Sequence, residues 1–337
     1  MINNKSKRHV LILSVLLAAP TLTLGQNEGV VQWNAEKTKM DFNLKHLSGV
    51  VTFTGDNSKW STHHFSKVIH KPTNILLSPD SSRMKHVGFL NFFRVLTKGG
   101  YLSELRAEKA HVKPEKDGAT LTWPPTIRRQ AKIIIRFTFR QPNMMDMDMS
   151  VETLTDYQGF EILLSTYQAP GFVSGAYVAT NEFGPVEPEQ IRVMDQPMIH
   201  GVWPFFPRDE KGANTLTDGR HQKGRWYWRM AIGRRYGYPM AFFSKGDIDT
   251  ILMGRPEDVY AVGVTYQGDE EDNLADHRSL YLSLLGEDLA AGQSKRTQMR
   301  LIIDQFGSAP EKHAALYEEF LKEVKNIPRT YYIDPTK

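Results

Sequence analysis

The sequence predicts an all-β protein: a large antiparallel β-sandwich closed by one C-terminal α-helix. Three observations carry this. The stretch MDMDMSV (145–151) alternates apolar and polar residues at period two, as a strand with one buried face does. KIIIRFTF (132–139) joins β-branched and aromatic residues ahead of Gln141-Pro142-Asn143, so 132–151 reads as an antiparallel hairpin. Short strands of this kind recur between turn-rich pieces with hardly any helical periodicity, which fits a sandwich or barrel better than βαβ units.

The chain opens with a basic start (Lys5, Lys7, Arg8), an almost wholly apolar run over 10–24 and a small residue, Gly25. That is the pattern of a signal peptide over 1–25. The run is about fifteen residues, shorter than the roughly twenty a bilayer-spanning helix needs. An uncleaved anchor is the alternative. No other stretch approaches that length, so residues 26–337 are expected without an integral membrane segment, as one large domain, secreted or periplasmic. The chain has no cysteine, which excludes a lipid anchor on Cys and leaves the fold to stand on its core. Setting aside Lys5, Lys7 and Arg8 takes the net charge from +4 to +1, and so near neutrality there is no global footprint for nucleic acid.

Further strands read as ATLTW (119–123), FEILLSTY (160–167), MAFFS (240–244), VYAVGVTY (259–266), SLYLSLL (279–285) and QMRLIID (298–304). EKDG, KGD, GRPED and GDEEDN separate them as turns. The Pro/Gly-bearing piece 181–190 reads as a long loop inside the domain, with a joint between domains as the alternative. One helix stands out, at about 309–326. Ser308-Ala309-Pro310-Glu311 has the spacing of a capping box, and Leu316, Phe320 and Val324 recur every four residues on one face. Such a helix is expected to pack on the outside of the β core.

LNFFRVLTKGGYLSELRAEKAHVKPEKDGATLTWPP (90–125), followed by IIIRFTFRQPNMMDMDMSVE (133–152), resembles the galactose mutarotase-like supersandwich group, a fold of aldose epimerases and of domains in secreted carbohydrate-active enzymes. FGSAPEKHAALYEEFLKEV (306–324) adds the closing helix, and the likeness spans about 90–305. The resemblance implies a supersandwich and a sugar-handling role. Epimerases of the group use a histidine pair on the sugar ring oxygen and a carboxylate base. HGVWPFF (200–206) and His221 resemble the histidine part, whereas no glutamate near the C-terminus stands in a matching context. The resemblance therefore implies no mechanism.

Residues 199–238 hold eight aromatics and eight Lys/Arg against three Asp/Glu. Sugars stack their C–H faces on indole rings and offer hydroxyls, carboxylates or sulfates to forked donors such as arginine. The candidate substrate-binding residues are Trp203, Arg208, Arg220, Trp226, Trp228, Arg234 and Arg235. In RWYWRM, Trp226 and Trp228 share one strand face and Arg225 and Arg229 the other, so both faces cannot be core. The blander reading keeps the tryptophans in the core and the arginines in solvent. His200 and His221 are the candidate acid/base groups, because imidazole titrates near neutrality, and Asp209 and Tyr236 complete the candidate catalytic set. The stretch 200–210 reads as a proline-bounded loop, followed by a glycine-bearing turn.

His63, His64, His70 and His86 match no metal-ligand spacing, and DEEDNLAD (269–276) fails as an EF-hand loop at its sixth and twelfth positions, so no metal and no cofactor is expected. There is no phosphate loop, GxSxG elbow or HExxH. The functional expectation is a secreted protein that binds or processes a polysaccharide, an anionic one suiting the arginine-rich stretch better than a neutral one, as a lyase, hydrolase or epimerase. A non-catalytic structural or interaction protein of the cell envelope is the alternative.

Overall fold

A computed structural model describes residues 30–53, 63–79, 89–180, 188–192, 203–221, 230–265, 279–307 and 309–330. The segments expected to form the signal peptide and the acidic turn at 269–276 lie outside these residues, as do His86, His200, Trp226, Trp228 and Ser308. In chain order the strands are β1 (Val31–Trp33), β2 (Lys39–Asn43), β3 (Leu47–Thr52), β4 (His64–His70), β5 (Ile75–Leu76), β6 (Asn91–Thr97), β7 (Gly100–Glu104), β8 (His111–Glu115), β9 (Gly118–Trp123), β10 (Ala131–Arg140), β11 (Met144–Thr153), β12 (Tyr157–Tyr167), β13 (Val173–Ala179) and β14 (Pro188–Arg192). Then follow β15 (Trp203–Pro207), helix α1 (Glu210–Leu216), β16 (Met230–Ile232), β17 (Tyr236–Lys245), β18 (Ile248–Gly254), β19 (Val259–Thr265), β20 (Ser279–Leu289), β21 (Ser294–Gln305) and helix α2 (Pro310–Val324).

Two sheets make the sandwich: nine strands in the order β14-β13-β17-β18-β21-β11-β10-β9-β8, and seven in the order β16-β15-β19-β20-β12-β6-β7. Pairing is antiparallel except between β15 and β16. The expected hairpin is β10–β11, in register from Ala131↔Thr153 to Arg140↔Met144. Its period-two pattern is physical. Ile133, Ile135, Phe137 and Phe139 on β10, with Met145, Met147 and Met149 on β11, point into one core with Ile162 and Leu164 of β12 and Leu280, Leu282 and Leu284 of β20. The five-stranded meander β1–β5 joins the same core, where Phe42 stacks on Phe139 at 4.6 Å between ring centroids.

Helix α2 covers the outer face of the nine-stranded sheet. Its buried residues are His313, Tyr317, Phe320 and Val324, and they meet Tyr177, Met240, Phe242, Ile251 and Ile302. Leu316 packs against that cluster only in part. The helix start differs from the capping-box expectation. Ala309 is the N-cap, with no side-chain cap, and Pro310 takes a first-turn position where its missing N–H leaves no helical bond unmade. His313 instead ties helix to sheet, with Nδ1 2.8 Å from the Tyr177 hydroxyl and Nε2 3.1 Å from Asp249 Oδ2. Strand β17 is therefore buried on both faces, which is why MAFFS reads as a run and not as an alternation.

Two further expectations at 200–219 are corrected. Trp203–Pro207 is a strand, β15, held through antiparallel pairs from Phe205↔Gly263 to Pro207↔Ala261 and by Gly233 N donating to Phe205 O at 2.7 Å. The glycine-bearing turn that should follow begins with a helix, α1, capped by Asp209, whose Oδ1 accepts from Gly212 N at 2.7 Å.

The N-terminal sheet is clasped to the sandwich at Asp304 of β21. That carboxylate accepts from His46 Nδ1 (2.7 Å), Asn143 Nδ2 (2.7 Å) and His70 Nε2 (3.3 Å). His63 packs against Trp123 and Phe137, and no group of three metal-ligating side chains occurs among the described residues. Burial alone would raise the Asp304 pKa, but the His46, backbone and His70 hydrogen bonds hold it below its ordinary 3.8. A depressed carboxylate contributes stability above its unfolded pKa and loses it as pH falls through the folded value. Asp304→Asn is expected to lower unfolding free energy at pH 7 by about 1–3 kcal/mol. The gap from wild type should close below about pH 4 in urea titrations, where the unfolded carboxylate also gains its proton. A gap that stays constant down to pH 2 would contradict this role.

Candidate functional site

The polar side chains that the core cannot take gather on the outer face of the seven-stranded sheet. Along β12, Phe160, Ile162 and Leu164 face inward, so Glu161, Leu163, Ser165 and Tyr167 face out. Register brings Arg94 of β6 beside Leu163, and Ser283 and Tyr281 of β20 beside Leu163 and Ser165. Helix α1 lies over this face through Leu216, which joins a second apolar cluster with Phe93, Leu163, Phe205, Tyr260 and Tyr281 of the sheet, with Trp203 of β15 packed against it.

After α1 the chain turns at Asp218-Gly219 and drives two side chains into the face. Arg220 is 1% exposed. Its Nη1 donates to Gly159 O at 2.7 Å and to Glu161 Oε2 at 3.1 Å, and its Nη2 to Asp218 Oδ2 at 2.8 Å. Burial alone would lower the Arg220 pKa, but the Asp218 hydrogen bonds and the Glu161 charge outweigh it and raise the net value. His221, 2% exposed, places Nε2 3.6 Å from Glu161 Oε2. Burial pushes its pKa below 6.5, against the pull of Glu161 and with help from the charges of Arg220 and Arg94. Imidazole is therefore neutral at pH 7.

Glu161 itself is wholly buried, and its Oε1 has no hydrogen-bond partner among the described residues. Tyr260 lies beside Glu161 and Ser283, and both act on its hydroxyl. Burial raises the phenol's pKa well above its ordinary value, so it keeps its proton. A groove of about 550 Å³ opens beside the cluster, lined by Lys98, Gln158, Glu210, Lys211, Asp218, Arg220, Glu287 and Asp288 among others. A neutral imidazole, a carboxylate fixed by arginine and a protonated phenol can accept a proton, stabilise the resulting imidazolium and donate a hydrogen bond.

Of the sequence-predicted residues that are described, only His221 and Arg220 meet at this place; His200, Trp226 and Trp228 lie outside the described residues. Asp209 is the α1 N-cap and pairs with Arg208 Nε at 2.9 Å. Arg208 also donates to Glu257 O at 2.8 Å, which ties α1 to the β18–β19 turn. Tyr236 is buried in the core, with its hydroxyl donating to Val259 O at 2.7 Å and its pKa raised by burial. These three residues have structural partners that account for them. Trp203 is half-buried in the apolar cluster and does not line the groove. Arg234 and Arg235 lie just before β17, Arg234 exposed and Arg235 half-buried. Glu161, the centre of the cluster, was missed. Its signal is a lone carboxylate in the apolar run FEILLSTY.

No family model matches the chain, and no curated protein matches it in sequence. Solved structures similar to it include the galactosidase domain of an α-galactosidase–sucrose kinase, with 10% identity over 82% of this chain and 42% of that one, at a TM-score of 0.43. An α-galactosidase from Geobacillus stearothermophilus follows at 11% identity, 82% and 41% coverage and a TM-score of 0.44. The galactose 1-epimerase of Lactobacillus acidophilus gives 9% identity, 79% and 94% coverage and a TM-score of 0.43. The chain thus spans about two-fifths of the length of the two galactosidase structures. All three are carbohydrate-active enzymes, and an epimerase of the group named by the sequence resemblance is among them. At these TM-scores the likeness carries nothing about chemistry, which rests on the side chains above.

Two glycines of equal backbone conformation test how tightly the cluster is built. Gly159 and Gly246 both have φ +58°. A Cβ at Gly159 would stand 2.3 Å from Arg220 Nη2, whereas one at Gly246 meets nothing within 4 Å. Both alanine variants incur the left-handed backbone strain, about 1 kcal/mol or more. Gly159→Ala is expected to lose clearly more stability than Gly246→Ala, because Arg220 must leave Glu161 or Gly159 O. Equal losses in paired denaturation curves would show that Arg220 is not held as described.

Proposed function

We propose that this chain is a secreted or periplasmic protein that binds and processes a polysaccharide, an anionic one, by proton transfer at His221 and Glu161. The observation that carries the reading is the buried Glu161–His221 pair, held behind Arg220, which itself lines a polar groove. His221, neutral at pH 7, takes a proton from the sugar or from an attacking water. Glu161 stabilises the imidazolium formed, and Arg220 keeps Glu161 in place. Perturbed groups of this kind cluster at functional sites, although structural ion pairs produce them too. Export is supported by the basic and apolar N-terminal segment. No helix of the described residues is long and apolar enough to cross a membrane. A non-catalytic role in the cell envelope is the competing reading, and Trp203, packed in the apolar cluster and away from the groove, is the observation on its side.

The test is a binding and product screen of residues 26–337 on neutral, uronate-containing and sulfated polysaccharides. At least one should yield product, and His221→Asn should lower kcat by 10²- to 10⁴-fold, the usual worth of a general acid–base group. Binding without turnover would favour the envelope reading. No binding to any glycan would end the polysaccharide reading. Full activity in His221→Asn would end the site assignment alone.

A further inference from the structure

We infer that the groove between α1 and the β12–β20 irregularity is a subsite for an uncharged sugar unit, held through its hydroxyls and without an aromatic platform. This rests on the polysaccharide reading above and names the part of the glycan that the groove takes.

The groove is built where the sheet breaks its own regularity. Strands β12 and β20 pair at Tyr157↔Leu289 and again at Phe160↔Glu287, with a register shift between, so Gln158, Gly159 and Asp288 have no partner in that ladder. Irregularities of this kind re-aim side chains and recur beside binding sites. Leu285 (φ +72°) and Gly286 (φ +64°) are consecutive left-handed residues at the same place. An aliphatic residue adopts that backbone only under strain, and such strain concentrates where ligands are clamped. The β6–β7 turn is drawn in as well, since Lys98 N donates to Gln158 O at 3.0 Å. On the opposite side, α1 turns Leu216 into the apolar cluster. That leaves Glu210, Lys211, Asn214 and Thr215 on the helix face that lines the groove.

The lining chemistry decides the ligand. A volume of about 550 Å³ falls within the roughly 300–1,000 Å³ of small-ligand sites. Among the described residues, however, the lining has neither an aromatic nor an aliphatic side chain, so an apolar ligand gains nothing and a sugar cannot stack. Three cationic side chains face four carboxylates there. Arg220 is committed to Asp218 and Glu161, and Glu287 pairs with Lys295 at 3.1 Å. What is left for a ligand is mixed in sign: the ammoniums of Lys98 and Lys211, the carboxylate of Glu210 and the amides of Gln158 and Asn214. None of these five side chains makes a hydrogen bond or ion pair among the described residues. Asp288 adds a second carboxylate, whose Oδ1 accepts from Gly159 N at 2.7 Å.

Such a set has no excess of positive charge to hold an anion. A sugar hydroxyl both donates and accepts, and so can use amide, ammonium and carboxylate alike. A glycan that carries acid groups therefore places an unsubstituted unit here and its acidic units outside the groove. The groove and the proposed chemistry meet at Arg220, which lines the one and donates to Glu161 Oε2 of the other at 3.1 Å. A filled groove is thus one guanidinium away from the Glu161–His221 pair.

The test is calorimetric titration of the protein with neutral trisaccharides of glucose, galactose, mannose and xylose, and with trigalacturonate. At least one neutral trisaccharide should bind, about tenfold or more tightly than trigalacturonate, whose carboxylates meet those of the groove. Asn214→Ala, at an exposed helix position, should weaken that binding about three- to tenfold, the usual worth of one hydrogen bond. Asn214→Trp, which fills the groove, should abolish it. Trigalacturonate binding as tightly as every neutral trisaccharide would overturn the subsite, and so would neutral binding that survives Asn214→Trp. Should the tryptophan variant not fold, unchanged binding in Asn214→Ala does the same. If no trisaccharide binds while a polysaccharide is bound or turned over in the screen above, the subsite falls and the proposed function stands. If no glycan of either set binds, both fall.

Discussion

The contact between Arg220 and Glu161 is the constraint around which the outer face of the seven-stranded sheet is arranged. Both side chains are almost wholly buried, and ions cannot leave water without compensation. Removing one partner of such a pair typically destabilises by about 3–5 kcal/mol, mostly because the other charge is left stranded. The surroundings match that demand. Asp218 supplies a second carboxylate to Arg220, Gly159 supplies a carbonyl and, at φ +58°, the space. The β12–β20 register shifts between Tyr157 and Glu161, beside the place where Gly286 passes close to the Tyr260 ring. None of these features is needed to close a β-sandwich. Together they hold one carboxylate next to one histidine.

The two outer faces of the sandwich are used differently. Helix α2 seals the nine-stranded sheet with an apolar face and a fully satisfied Tyr177–His313–Asp249 chain. On the seven-stranded sheet, α1 is only seven residues long and covers part of the face through Leu216. Beside the apolar cluster there, the described residues of this face include charged and hydroxyl-bearing side chains. Polar groups buried at this density are either structural networks or sites, and Glu161 Oε1, which meets the hydrogen-bond criteria with no group among the described residues, is consistent with a site.

Much of the fold was legible in the sequence because its signal is local. The alternation of β10 and β11 is set by one buried face, and the apolar run of β20 by burial on both. Helix α2 was legible from the spacing of Phe320 and Val324, although its start was misjudged, since Pro310 at a first-turn position makes a side-chain cap dispensable. Strand β15 was hidden by Pro204 and Pro207, and α1 by Gly212 and Asn214, poor helix formers that tertiary packing overrides. Asp209 was noticed, but a lone aspartate has the same appearance as a cap and as a catalytic acid. Half of the site was legible: Arg220 and His221 stand out in a polar stretch. Glu161 did not, because its partners lie 59 residues away and no local pattern encodes a pairing across the sheet.

The proposed site depends on His221 being a neutral imidazole whose protonation is governed by Glu161. Its side-chain nitrogens can be titrated directly by ¹⁵N NMR in wild type and in Glu161→Gln. The midpoint should lie below 6.5 in wild type. It should move lower still in the variant, because the carboxylate that favours imidazolium is gone. A midpoint at or above 6.5, or one that the substitution leaves in place, would contradict the coupling on which the site is built.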